Sequence, residues 1–200
     1  MLSAQTQFKE NLKRVRELGG LAVAVESLTT SAIDVSDLWR SQIVLVVSAL
    51  DNFIHELTRL GMIETAKGSR PKTDAYLRFE MPLSATESAI AGSVHEVWVG
   101  ETVREKHSWQ SFQDPDKLAD AIRLISPVKL WEAVGSELGE PPKDVKTRLK
   151  LIVDRRNQIA HEADLDPINP GSRWPINGPM VNDTVNFIEK LGDAIYKVAV

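Results

Sequence analysis

The stretch from about Ser36 to Ala66 constrains the fold more than any other part of the chain. Trp39, Ile43, Val46, Val47, Leu50, Phe53, Ile54, Leu57 and Gly61 recur at helical spacing and share one wide face. A face that broad has to be covered from several sides, which is the situation of the central helix of a bundle. Its flank carries Ser48, Asp51 and His55, with Asp51 and His55 at i, i+4. Asp34 or Ser36 can cap its start, and it is expected to end before Gly68-Ser69-Arg70-Pro71.

Around it the remaining segments also read as helices. Phe8, Leu12, Val15 and Leu18 predict an amphipathic helix from about Ala4 to Leu18, interrupted by Gly19-Gly20. Leu21 to Ala32 is apolar and small, and could form a further helix. Residues 67–82 read as a basic loop. Pro82 to Glu87, with Ser84 and Glu87 at capping-box spacing, opens a helix expected to run to about Glu105. Shorter helices are expected near Asp114–Leu124 and Pro127–Leu138, each with proline in its first turn. Helices over Pro142–His161 and from Val181 to the C-terminus follow, joined by the turn-rich run Asp166 to Pro175. Strand alternation and internal repeats are absent. The expected class is all-α: a four-helix up-down bundle with inserted helices, in one domain over 1–200. Residues 1–33 are expected to be an N-terminal helical extension, and 34–200 the bundle.

Composition narrows the function. Two hundred residues with 42% hydrophobic and 26% charged content suit one domain with a substantial core. A formal net charge of −4 argues against a general nucleic-acid coat while leaving room for a local basic groove. With no cysteine, there is no disulfide, thiolate metal site or cysteine nucleophile. The N-terminus lacks an apolar signal core and no apolar run is long enough to span a bilayer, so a cytoplasmic protein is expected.

Phosphate-binding glycine loops and the G-x-S-x-G elbow are missing, and His55-Glu56 and His95-Glu96 lack the second histidine of H-E-x-x-H. His161, Asp164 and Asp166 could meet a divalent ion, but such a mixture at a helix end is more simply a solvated terminus, so no metal or other cofactor is expected.

The chemistry concentrates in the late helix. Val145, Leu149, Ile152, Val153, Ile159, Ala160 and Ala163 form its apolar stripe, and Arg156 falls inside that stripe, about 20° from Leu149. An arginine there needs a partner, since an unpaired buried charge is costly. Asp154, Asn157 and His161 share a neighbouring face. Lys143, Lys146, Arg148, Lys150, Arg155 and Arg156 outnumber Asp144 and Asp154, so this helix could hold phosphates, although a solvated helix face would look the same. Arg156 offers a charged fork that matches phosphate geometry, and His161 can carry a proton near neutral pH. Five residues apart on one helix they diverge by about 140°, so a twofold mate would have to complete the set. Alternatively Arg156 pairs with Asp51 or another buried carboxylate, and His161 caps the helix C-terminus.

Arg156-Asn157-Gln158-Ile159-Ala160-His161 resembles the R-x(4–6)-H signature of HEPN domains. Ser48 to Glu56, His161 to Pro167 and Gly171 to Ile176 are similar to the bacterial RiboL-PSP-HEPN subgroup, and the likeness runs from about Asp37 to the C-terminus. The resemblance implies a helical bundle that forms a homodimer through its motif helices. It also implies a metal-independent endoribonuclease cutting single-stranded RNA, in a toxin–antitoxin or antiviral setting, with an antitoxin or other regulatory protein as possible partner. Arg156 would then bind the scissile phosphate, His161 act as general acid/base, and Asn157 orient His161 or touch phosphate. Asp51, with His55 as a weaker candidate, would hold Arg156, while Arg155 and Lys150 would contact RNA. The same resemblance admits a non-catalytic module that binds nucleotides or a partner protein.

Overall fold

The computed structural model describes residues 1–30 and 33–200, and among these every regular element is a helix. In chain order they are α1 (Leu2–Leu28), α2 (Ser36–Ala66), α3 (Asp74–Leu77), α4 (Leu83–Ile90), α5 (His95–His107), α6 (Pro115–Arg123), α7 (Leu130–Leu138), α8 (Pro142–Glu162) and α9 (Gly178–Ala199). The expected all-α class is what forms, and none of these helices is long and apolar enough to cross a membrane. A lone antiparallel bridge between Leu165 and Arg173 closes the loop after α8.

α2 is the hub. It packs against α1, α5, α6, α8 and α9, so its wide apolar face is covered on several sides, as its periodicity requires. Val46, Val47, Leu50, Ile54 and Leu57 are fully buried there. α1 belongs to this core rather than extending from it: Phe8 stacks on Phe53 of α2 at 4.8 Å, and Leu12 is fully buried. α1 also runs unbroken through Gly19-Gly20, where an interruption was expected. The cause is a close approach. A Cβ on Gly19 would lie 2.5 Å from Nε2 of Gln42, which donates to the Val15 carbonyl at 2.7 Å. Glycine is there for space, and the helix bonds of its neighbours carry the chain across. Of the following segment, Ser31 and Ala32 lie outside the described residues.

Other boundaries differ from expectation for local reasons. The single helix expected over about 84–105 is two, α4 and α5, parted at Gly92, whose φ of 81° no helix accommodates. The Ser84–Glu87 capping box does not form, because the helix starts one residue earlier with Pro82 as its N-cap. Pro127 stands outside α7, which begins at Leu130. Thr73 caps the short α3 inside the expected loop, accepting from the Tyr76 amide at 2.9 Å. Asp114 and Pro115 open α6 as expected, the Asp114 carboxylate accepting from the amides of Asp116 and Lys117.

Candidate functional site

α8 is covered over only half its length. Val145 and Leu149 are buried, but Ile152, Val153 and Ile159 are half-buried, and Ala160 and Ala163 are exposed together with Leu151. The apolar stripe that periodicity assigns to the whole helix is therefore fully covered by this chain along its first turns and only partly covered along the rest, where Ile152, Val153 and Ile159 still pack against the core. Two grooves extend the open face along α2. One, of about 730 Å³, runs between α1 and α2 past Asn11, Ser48 and Asn52. The other, of about 590 Å³, lies between α2 and the end of α8, floored by Val44, Ile159 and Ala163. Leu45, 46% exposed, lines both.

Arg156 lines a separate cleft of about 350 Å³, half-buried between α8 and the loop joining α5 and α6. Its Nη1 donates to Oδ1 of Asn157 at 2.9 Å, and its buried Nε has no hydrogen-bond partner. Lys150 and Lys117 line the same cleft. Among the described residues no carboxylate lies in ion-pair range of any of these three cations. Two other basic groups of α8 are engaged, Lys146 with Asp116 at 2.7 Å and Arg148 with Asp183 at 2.7 Å while lying over the Phe187 ring, and Lys143 is exposed outside this cleft. Of the basic face read from the sequence, Lys150 and Arg156 are thus the cations of this cleft free to meet an anion.

Asp51 does not hold Arg156, as had been expected of it. Its Oδ1 accepts from the Phe112 amide at 2.6 Å and its Oδ2 from Nε2 of Gln113 at 3.3 Å, so it fastens the α5–α6 loop that forms the opposite wall of the cleft. His55 joins it there. Its ring lies 4.5 Å from Phe112 and 6.3 Å from His107, and its Nε2 is 3.8 Å from Asp51. His107, 5% exposed, packs edge-on against Phe112, and burial with His55 and Lys106 nearby lowers its pKa to about 4. The sequence offered no sign that His107 belongs to a cluster, because its partners come from a different helix and a loop.

Arg155 is not available to RNA either. It donates to Oδ2 of Asp164 at 2.9 Å and to the carbonyls of Trp174 and Pro175. Asp164 is fully buried, and its Oδ2 also accepts from Nε of Arg40 at 2.7 Å, while Arg40 reaches the Trp174 carbonyl at 2.9 Å. Two arginines thus share one carboxylate and staple the loop after α8 to both helices, which is why burial pushes the Arg155 pKa down even with Asp164 beside it. The staple sits on a left-handed turn, Ala163 at φ 52° and Asp164 at φ 59°. Sequence reading missed it, although Arg40 stands seven residues before the buried Val47 and so near the apolar face. It also removes Asp164 from any metal site with His161, and Asp166 is occupied by Asn169 at 2.7 Å and the Ile168 amide at 2.9 Å.

His161 lies in the last turn of α8, exposed, and does not line the Arg156 cleft. Within one chain, then, α8 brings together Lys150, Arg156 and Asn157 but turns His161 away. Its position at the C-terminal end also suits the helix dipole when it is protonated. Comparison with known proteins adds nothing to this geometry: no family model, no curated protein and no solved structure matches the chain.

Proposed function

We propose that the protein is a metal-independent endoribonuclease of HEPN type, working as a homodimer on single-stranded RNA. The observation that carries the reading is Arg156. A half-buried guanidinium with a buried, unsatisfied Nε and no carboxylate in range is costly for a fold to keep. It makes sense if an anion from outside completes it. Arg156 and Lys150 would hold the scissile phosphate and neutralise the charge that grows on it. Asn157, bonded to Arg156 at 2.9 Å, orients the guanidinium rather than His161. His161 of the partner subunit would take the proton of the ribose 2′-OH as that oxygen attacks phosphorus. The bond to the 5′-oxygen then breaks, that oxygen gains a proton, and a 2′,3′-cyclic phosphate remains. The open half of α8 and the groove between it and α2, with the exposed Leu45, support the dimer, since a second copy would cover apolar surface that this chain leaves in water. A role in toxin–antitoxin or antiviral systems would follow from such an activity.

A second reading, a non-catalytic module that binds nucleotides or a regulatory protein, is favoured by the separation of His161 from the Arg156 cleft in one chain. One assay decides between them. Purified protein in EDTA is expected to cut single-stranded RNA to 2′,3′-cyclic ends, and folded, dimeric Arg156→Ala and His161→Ala variants are expected to lose cleavage by at least about 100-fold. Cutting that survives in both variants removes the roles assigned to them. A wild type that cuts no RNA leaves the binding module.

A further inference from the structure

The wall facing Arg156 carries a feature that phosphate binding does not need. Gln113 is only 6% exposed, yet it lines the cleft. Its carboxamide is not free to turn. Asp51, a carboxylate, can only accept, so the hydrogen bond at 3.3 Å requires that Nε2, not Oε1, face Asp51. Asp51 also accepts from the Phe112 amide at 2.6 Å, and Phe112 is packed between the His55 and His107 rings. The loop, the carboxylate and the amide are therefore set before any ligand arrives. The cleft joins two kinds of recognition: three cations without an ion pair, Arg156, Lys150 and Lys117, which outnumber the lining carboxylates Asp154 and Asp114 (the latter capping α6), and a buried neutral amide of fixed orientation with Ser111 on the same wall. An inorganic anion would use the first and waste the second. A nucleotide, with an anionic phosphate and a neutral hydrogen-bonding base, uses both.

We infer that the cleft is a nucleotide subsite in which Arg156 and the two lysines take the phosphate and Gln113, oriented by Asp51, selects the base. One of the two N–H groups of Nε2 is held by Asp51, so Oε1 is turned away from that carboxylate and is the acceptor offered to a ligand. It suits an exocyclic amino group, so adenine and cytosine are preferred over uracil, whose corresponding position is a carbonyl. This rests on the ribonuclease reading for the meaning of the subsite, as the place of the nucleotide beside the cut, but not for its existence.

The test is equilibrium binding of AMP, CMP, UMP and inorganic phosphate to the intact protein, followed by calorimetry or amide chemical shifts. AMP and CMP are expected to bind roughly three- to tenfold tighter than UMP, the worth of one net hydrogen bond, and phosphate more weakly than any of them. Gln113→Ala should level the bases while leaving phosphate binding unchanged. In Asp51→Asn the carboxamide can reverse, because asparagine can donate to Oε1, so the preference should shrink or turn toward UMP. A merely structural role for Asp51 would weaken all ligands alike. Equal binding of the three nucleotides by the wild type, or a Gln113→Ala variant that keeps the preference, overturns the proposal. Cleavage of RNA is a separate readout: a base preference without cleavage sinks the ribonuclease and keeps the subsite, and cleavage without the preference does the reverse.

Discussion

Arg156 and His107 are both groups that the fold holds at a cost, and the costs can be read out separately. Replacing Arg156 with methionine keeps the length of the stem and removes a charge whose Nε has no partner. Arg156→Met should leave thermal stability unchanged or raise it by about 1 kcal/mol, while RNA cleavage falls by at least about 100-fold. A loss of several kcal/mol would instead mark Arg156 as a structural residue. His107 is neutral in the native protein down to about pH 4, whereas the same ring in the unfolded chain takes up a proton near pH 6.5. Between those values the unfolded chain binds more protons, so stability falls as pH drops from 6.5 toward 4. The effect should amount to about 2 kcal/mol, the shift being discounted for screening of its charged neighbours. Urea melts across that window should show it in the wild type and show it flattened in His107→Phe. Neither residue reveals this from its neighbours in the chain: the partners of His107 come from α2 and the α5–α6 loop, and an orphaned Nε is a property of packing.

Among the elements, α1 and α8 carry the most instructive departures from periodicity. Gly19 and Gly20 look alike in the sequence, and both suggested a break. In the folded helix nothing lies within 4 Å of a Cβ on Gly20, while a Cβ on Gly19 meets the Gln42 side chain at 2.5 Å. Gly20→Ala should therefore stabilise the protein by about 0.5–1 kcal/mol through helix propensity alone. Gly19→Ala should destabilise it by about 1–3 kcal/mol, because Gln42 must give up its bond to the Val15 carbonyl or the helices must part. Paired thermal melts of the two variants check the contrast. In α8 the period of apolar residues was legible along the whole helix, but periodicity states which side is apolar and not what covers it. Val145 and Leu149 find full cover within this chain, Ile159 only in part, and Ala160 and Ala163 stay exposed.

For the whole molecule, that partly covered face is the basis of the proposed dimer. The 22.2 kDa chain should sediment at twice its mass at micromolar concentration. Leu45→Glu, placed between the two grooves, should give a folded monomer with unchanged circular dichroism and RNA cleavage reduced at least about 100-fold, because His161 would lose its opposite Arg156. A wild type that is strictly monomeric would leave the composite site without a means of forming. The chain by itself determined the all-helical class, the central role of α2, and the extents of α2, α8 and α9 to within a few residues. Those follow from short-range order, since the repeat of apolar side chains and the capping residues act within one or two helical turns. Only the tertiary structure decided that Asp51 fastens a loop instead of Arg156, that Arg155 is bound to Asp164 and Arg40, and that Gln113 faces the cleft. Each of these depends on which of several chemically suitable groups, distant along the chain, comes within about 3 Å, and hydrogen-bond geometry at that range is set by the packing of whole helices.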